Sequence, residues 1–302
     1  MSFLDMFQEM LVILFAIAAG YAAHKLGFMD RENDQKISAM MFHIVMPIMI
    51  LSSMVNADAL PEAKVIFSIL GVSAVFYLVE AVFVLVVPRI LGGTDKEKGV
   101  LRYTLAFPNI GYIGYPVAVA QYGAQGLFYA VILSLPFNLL SFTLGPLMLA
   151  GERRFNWRRL LNPCIAASIV GLAIVLLRWE PPALVGDCLE MVAQITIPLS
   201  LMIVGSTLAS LSGKDLMVPK LWLLAAIRLI LMPAVLAPVL RLINIDPIVL
   251  GVTVTQMAMP VATSGVILCA ECDGDVTSMA RTTFVTTMAS IITIPLVVAL
   301  LL

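Results

Sequence analysis

Residues 107–116 read "FPNIGYIGYP". Two prolines, two glycines, two tyrosines and an asparagine fall within these ten residues. They interrupt an apolar run over roughly 100–121, where a membrane helix would carry Leu, Val and Ile. Pro108 lacks a backbone donor and clashes with the turn before it. It also pushes the preceding residue away from helical angles. Gly111 and Gly114 let the chain unwind at low steric cost. The stretch predicts a helix broken at mid-length. Backbone groups freed in lipid cost several kcal/mol, so such a break must be buried in protein or line a wet cavity.

Composition supplies the setting. The chain has 302 residues, 61% hydrophobic and 12% charged, with a mean hydropathy of +1.02. A soluble domain carries about 25% charged residues, so this chain cannot cover a water-facing surface and belongs in a lipid bilayer. A net charge of -1 and the absence of a basic patch argue against a nucleic-acid partner. The N-terminal "MSFLDMFQEM" has Asp5 and Glu9 and no positive charge, so a permanent first span is expected rather than a cleaved signal. Cys269 and Cys272 form C-A-E-C, but zinc needs four ligands and no second pair or nearby histidine exists. They read as packing residues at a helix end, with no metal and no cofactor expected. Neither H-E-x-x-H nor G-x-S-x-G occurs, and with two histidines the chain offers no catalytic set, so it reads as a non-enzyme.

A span needs about 20 mostly apolar residues. The sequence predicts ten: 6–24, 37–55, 65–88, 99–121, 126–149, 161–178, 187–211, 219–241, 247–271 and 277–301. Among the eighteen Lys and Arg, Lys64, Arg178 and Arg241 fall in loops on the side of the termini and Arg228 lies inside a span. The others lie in the opposite loops, which places both termini outside. The basic connector 151–160 divides the chain into 1–150 and 161–302, five spans each. An odd number inverts the second copy. Gly20, Pro47, Pro108 and Gly123 recur as Gly171, Pro198, Pro260 and Gly274 at offsets of 151, 151, 152 and 151. These recurrences favour a duplication. The expected fold is therefore all-α, with two inverted five-helix repeats. Matching interrupted helices in inverted repeats point to a secondary transporter.

Asn109 lies ten residues into span 4, about 15 Å deep, and Pro260 thirteen residues into span 9, about 20 Å deep. Both fall near the middle of a core about 30 Å thick. Two breaks at this depth start two half-helices whose N-termini carry unpaired N–H groups and about half a positive charge each. Together they suit an anion without a buried Lys or Arg. The Asn109 amide adds donors, as do the hydroxyls of Thr263 and Ser264. Pro108, Gly111, Tyr112, Gly114 and Pro260 complete the candidate substrate site. The plainer alternative is a pair of packing kinks.

These residues resemble the auxin efflux carrier family, which includes bacterial organic-acid permeases and plant PIN carriers. "LAFPNIGYIGYPVAVAQYG" (105–123) is similar to the family's first crossover, and "MAMPVATSGVILCAE" (257–271) to its second. "AAGYAAHKLGFM" (18–29) and "MPIMILSSM" (46–54) resemble its first two spans. Two departures stand out. Pro108 replaces the glycine of many bacterial members, and Thr263 or Ser264 stands where many carry asparagine. The resemblance implies a scaffold from spans 1, 2, 6 and 7, a transport domain from spans 3–5 and 8–10, and elevator-type alternating access. It also implies a homodimer in the bacterial inner membrane that carries a small organic anion, such as a malate- or auxin-like carboxylate. A sodium-coupled symporter of the bile-acid-carrier type is the alternative. A channel, a membrane sensor or an intramembrane enzyme is more remote.

Charged groups inside spans are functional candidates. Glu80 in span 3 and Arg228 in span 8 lie at similar depth, which predicts an ion pair or a titratable coupling carboxylate. A structural pair, or snorkelling to the interface, is the plain reading. His43 and Gln194 each precede a proline by four residues in spans 2 and 7. They are candidates for facing the substrate, and His43 for titrating near neutrality; a satisfied core histidine is the alternative.

Overall fold

The computed structural model describes residues 3–56, 63–150, 163–179, 181–210, 218–243, 245–272 and 274–302. The basic connector 151–160 lies outside the described residues. Among those described, the regular elements are helices: α1 (Phe3–Lys25), α2 (Arg31–Met40), α3 (Met46–Val55), α4 (Ala63–Leu91), α5 (Asp95–Ala106), α6 (Tyr115–Leu133), α7 (Leu135–Ala150), α8 (Pro163–Leu176), α9 (Ala183–Ala193), α10 (Thr196–Ala209), α11 (Pro219–Ala226), α12 (Met232–Arg241), α13 (Pro247–Met257), α14 (Ser264–Glu271) and α15 (Val276–Leu301). Among the described residues six helical stretches are long and apolar enough to cross a membrane: Arg31–Val55, Lys64–Leu91, Ile110–Leu133, Ala183–Ala209, Pro219–Arg241 and Val276–Leu301. Leu11–Lys25, Pro163–Leu176 and Pro247–Met257 are shorter apolar helices.

Helix starts follow capping chemistry. Thr94 closes a reciprocal capping box with Glu97 at the start of α5. Asp246 accepts from the amides of Ile248 and Val249 at α13, where Pro247 fills the first turn. Prolines also shape the interiors. Three π-helical turns, Met41–Val45, Ile110–Gly114 and Ile227–Leu231, each end two residues before a proline: Pro47, Pro116 and Pro233. A proline removes one i→i−4 bond, and widening the preceding turn accommodates the loss.

The boundary drawn between spans 4 and 5, 121 to 126, contains the point where the chain turns: Gly123, whose φ of 61° and ψ of -150° lie outside the helical region, separates two helices. A residue without Cβ adopts this conformation with little strain. The expected span 126–149 is instead interrupted at Ser134, and Pro136 sits in the first turn of α7.

The chain forms two compact units. The first comprises Met1–Leu70, Gly111–Asn138 and Leu161–Ser210, and the second Gly71–Ile110, Leu139–Leu160 and Leu211–Leu302. In the first unit, α1 packs along α10 at backbone distance. A Cβ on Gly20 would strike the Met202 backbone, and one on Gly205 the Ile17 carbonyl. Small residues of this kind let helices approach where no hydrophobic force drives them together in lipid. A polar chain closes one end of this contact. His24 Nδ1 donates to Ser206 Oγ at 2.9 Å, and Ser206 donates to Asp34 Oδ2 at 2.6 Å. The second unit holds α5, α11–α15 and most of α4, and its core contains both helix breaks.

Candidate functional site

The two breaks pair with each other inside the second unit. Phe107 has φ -129° and ψ 90°, the extended conformation that a following proline imposes. Pro108 and Val261 form an antiparallel bridge. The Asn109 amide donates to Pro260 O at 2.7 Å, and the Ala262 amide to Phe107 O at 2.9 Å. Thus Asn109 N–H, Phe107 O, Pro260 O and Ala262 N–H, freed at the two breaks, satisfy one another, as a buried irregular segment requires. The Val261 amide reaches Thr286 Oγ1 of α15 at 3.4 Å. Pairing therefore uses some of the N–H groups that the sequence reading offered to a ligand, including that of Asn109.

Asn109 is 4% exposed. Thr263 precedes α14 and makes no side-chain cap to it; its Oγ1 is buried with no hydrogen-bond partner. The Ser264 side chain shares a hydrogen bond with the Tyr103 hydroxyl. The Tyr103 ring packs at a tilt against Phe107, 4.9 Å between centroids, and lies against Gly265. The candidates Pro108, Asn109, Pro260, Thr263 and Ser264 are thus gathered around one paired break.

Arg228 is the largest fully buried side chain of this unit. It sits in the π-helical turn Ile227–Leu231 ahead of Pro233. Its Nη1 donates to Glu80 Oε1 at 3.0 Å and to Leu105 O at 3.1 Å, and its Nε to Met259 O at 3.3 Å. Leu105 is in the last turn of α5, and Met259 lies just past the end of α13. The C-terminal end of a helix carries about half a negative charge. One guanidinium therefore bridges the ends of both first half-helices, while Glu80 balances its charge. Charge-assisted bonds of this kind are about twice as strong as neutral ones.

The other candidates lie in the first unit. Gly111 and Gly114 belong to the π-helical turn Ile110–Gly114, and a Cβ on Gly111 would meet the Met46 side chain. The Tyr112 carbonyl accepts from Ser200 Oγ at 3.1 Å, and its hydroxyl approaches Ser38 O at 3.5 Å. His43 is exposed and bonds through Nδ1 to Ala39 O of its own helix at 2.9 Å. Gln194 is exposed at the gap between α9 and α10. Among the described residues no group of three or more His, Cys, Asp or Glu is placed to hold a metal. Cys269 and Cys272 are buried free thiols.

Sequence reasoning missed the carbonyl partners of Arg228 and the role of Thr286. A signal existed for the second. Residues 281–290, "RTTFVTTMAS", place Thr282, Thr283, Thr286 and Thr287 at helical spacing, and all four are buried. Such a stripe of hydroxyls has no reason to face lipid.

Paired helix breaks around buried polar groups, in a chain with several membrane-length helices, define a membrane transport protein. The chain belongs to the Membrane transport protein family, the auxin efflux carriers, whose sequence model matches residues 5–154 and 145–298. A protein of Methanothermobacter thermautotrophicus named "Uncharacterized transporter" is 24% identical, over 98% of each chain. One of Methanocaldococcus jannaschii with a similar name is 25% identical, over 95% of this chain and 96% of that one. A Rhizobium meliloti protein named "Putative malonate transporter" is 23% identical, over 92% of this chain and 90% of that one.

Proposed function

We infer that this protein is a secondary carrier of small organic anions, of the size and charge of a mono- or dicarboxylate. The observation that carries the reading is the buried pairing of the two breaks, Pro108 against Val261, with Asn109 beside it. The Asn109 side-chain amide and the Thr263 hydroxyl are the donors assigned to a carboxylate, and the N-terminal end of α14 adds a favourable dipole. The name of the Rhizobium relative supports a dicarboxylate as the first substrate to try. Pro108, Gly111, Gly114 and Pro260 set the geometry of the breaks, and Tyr112, His43 and Gln194 are further candidates for the substrate path.

The carrier reading includes ten spans in two inverted repeats, both termini outside the bacterial inner membrane, a homodimer, and elevator-type displacement of a transport domain against a scaffold. The two compact units support a two-part design. The helices α1–α3, α6 and α8–α10 group in one, and α5 and α11–α15 in the other. Export of an anion gains about 2.3 kcal/mol per charge per 100 mV from an inside-negative potential.

The test uses purified protein in liposomes loaded with unlabelled malonate, and follows uptake of labelled malonate. Asn109→Ala is expected to lower uptake at least about tenfold, the loss of one charge-assisted bond. Unchanged affinity and rate in the variant would remove Asn109 from the site.

A further inference from the structure

A helix that stops inside a membrane protein leaves its last carbonyls without partners, and in transporters such ends commonly hold a coupling cation. Here Leu105 O, Met259 O and Glu80 Oε1 converge on one point. Met232 Sδ and Met257 Sδ also lie 3.6 and 3.8 Å from Arg228 Nη1, but the three oxygens are the ligands that suit a hard cation. The point is filled by the Arg228 guanidinium, at 3.1, 3.3 and 3.0 Å respectively. Arginine stays charged in any protein environment, and this one is 0% exposed. The π-helical turn ahead of Pro233 carries it.

We propose that Arg228 is a tethered cation in the place of a coupling ion, so that the carrier turns over without sodium. The inference rests on the carrier reading, and it decides between that reading's uncoupled form and the sodium symporter. With the guanidinium in place the niche takes no free alkali ion. Without it, three oxygens, one of them a carboxylate, face the vacated volume and form a site for sodium or lithium.

The experiment is thermal unfolding of the full-length protein in detergent, in sodium, lithium or choline chloride at equal ionic strength. The wild-type midpoint is expected to be the same in all three salts. Arg228→Ala should unfold earlier in choline. It should recover saturably with sodium or lithium, by roughly 5 °C at a hundredfold excess over the dissociation constant. Adding Glu80→Gln to Arg228→Ala should abolish that response, which a purely structural loss would not do. Saturable sodium stabilisation of the wild type overturns the proposal, as does a folded Arg228→Ala protein indifferent to sodium against choline. Should Arg228→Ala fail to fold in every salt, Arg228→Lys decides alongside the wild type. Sodium sensitivity in either overturns the idea, and insensitivity in both upholds it. Malonate exchange by the wild type should keep its rate when choline replaces sodium. Absence of any exchange would sink the carrier reading and leave the unfolding result standing.

Discussion

Along α1 and α10, Gly20 and Gly205 bring backbone against backbone with no charge between them. At the ends of α5 and α13, both helices stop, and a guanidinium bridges the carbonyls they leave. The first contact depends on volume: a single added methyl meets main-chain atoms that cannot yield. The second depends on charge: its closest contacts are one cation and three oxygens. Close packing suits a region that keeps one shape. A charge-held junction suits a region where helices have given up their own hydrogen bonds, because the junction restores what the break removed.

The largest effect should come from breaking the charge-held region. Arg228→Met leaves Glu80 buried without its partner and strips two helix ends of their donor. Removing one member of a buried pair costs about 3–5 kcal/mol. The Glu80→Gln, Arg228→Met double variant should recover much of this, because no unpaired charge remains. Thermal midpoints of the wild type, both single variants and the double variant give the coupling directly. Additive losses would mean that the pair contributes little. The close-packed region comes next. Gly205→Val drives a branched side chain into the Ile17 carbonyl, and overpacking of this kind costs about 2–3 kcal/mol. Its loss should not respond to sodium or lithium. A salt-dependent rescue of Gly205→Val would erase the distinction between the two regions.

The sequence made the breaks legible for a local reason. Proline acts on its own backbone and on its immediate neighbour, so Pro108 and Pro260 announced the interruptions without any tertiary knowledge. That the two breaks pair as a bridge was not legible, because strand-like pairing depends on which segments meet and not on a pattern within either. Glu80 and Arg228 could be matched because charges in apolar runs are rare. The third and fourth partners, Leu105 O and Met259 O, are backbone groups that every residue carries. Gly123 was visible as a recurring glycine within the gap between spans 4 and 5, and the turn falls there. That the turn is made by one positive φ rather than by a polar loop was not legible, because such a turn needs no polar residues. Asn109 was marked by its position beside Pro108. Nothing local indicated that its own amide would be engaged by Pro260 O.

The smallest expected effect lies at the edge of the charge-held region. Asp275 caps α15, the helix that supplies Thr286 to the break. Its Oδ1 accepts from the Ser278 amide at 3.0 Å and its Oδ2 from the Ser278 hydroxyl at 2.6 Å. Partial burial pushes this carboxyl up, but the Ser278 hydroxyl and amide, then Arg281 and Lys96, outweigh it and hold it below its ordinary value of 3.8. A depressed carboxyl stabilises the fold fully above its unfolded value, and that contribution is lost as pH falls through the folded one. Asp275→Ala should therefore lower stability by about 1 kcal/mol at neutral pH, the usual worth of an N-cap. The gap between wild-type and variant midpoints should stay constant down to about pH 4 and close only below it. A gap that already narrows between about pH 7 and pH 5 would show that the cap is not held ionised by its neighbours. It would also show that desolvation at this helix start outweighs the hydrogen bonds and cations that favour the charged carboxylate.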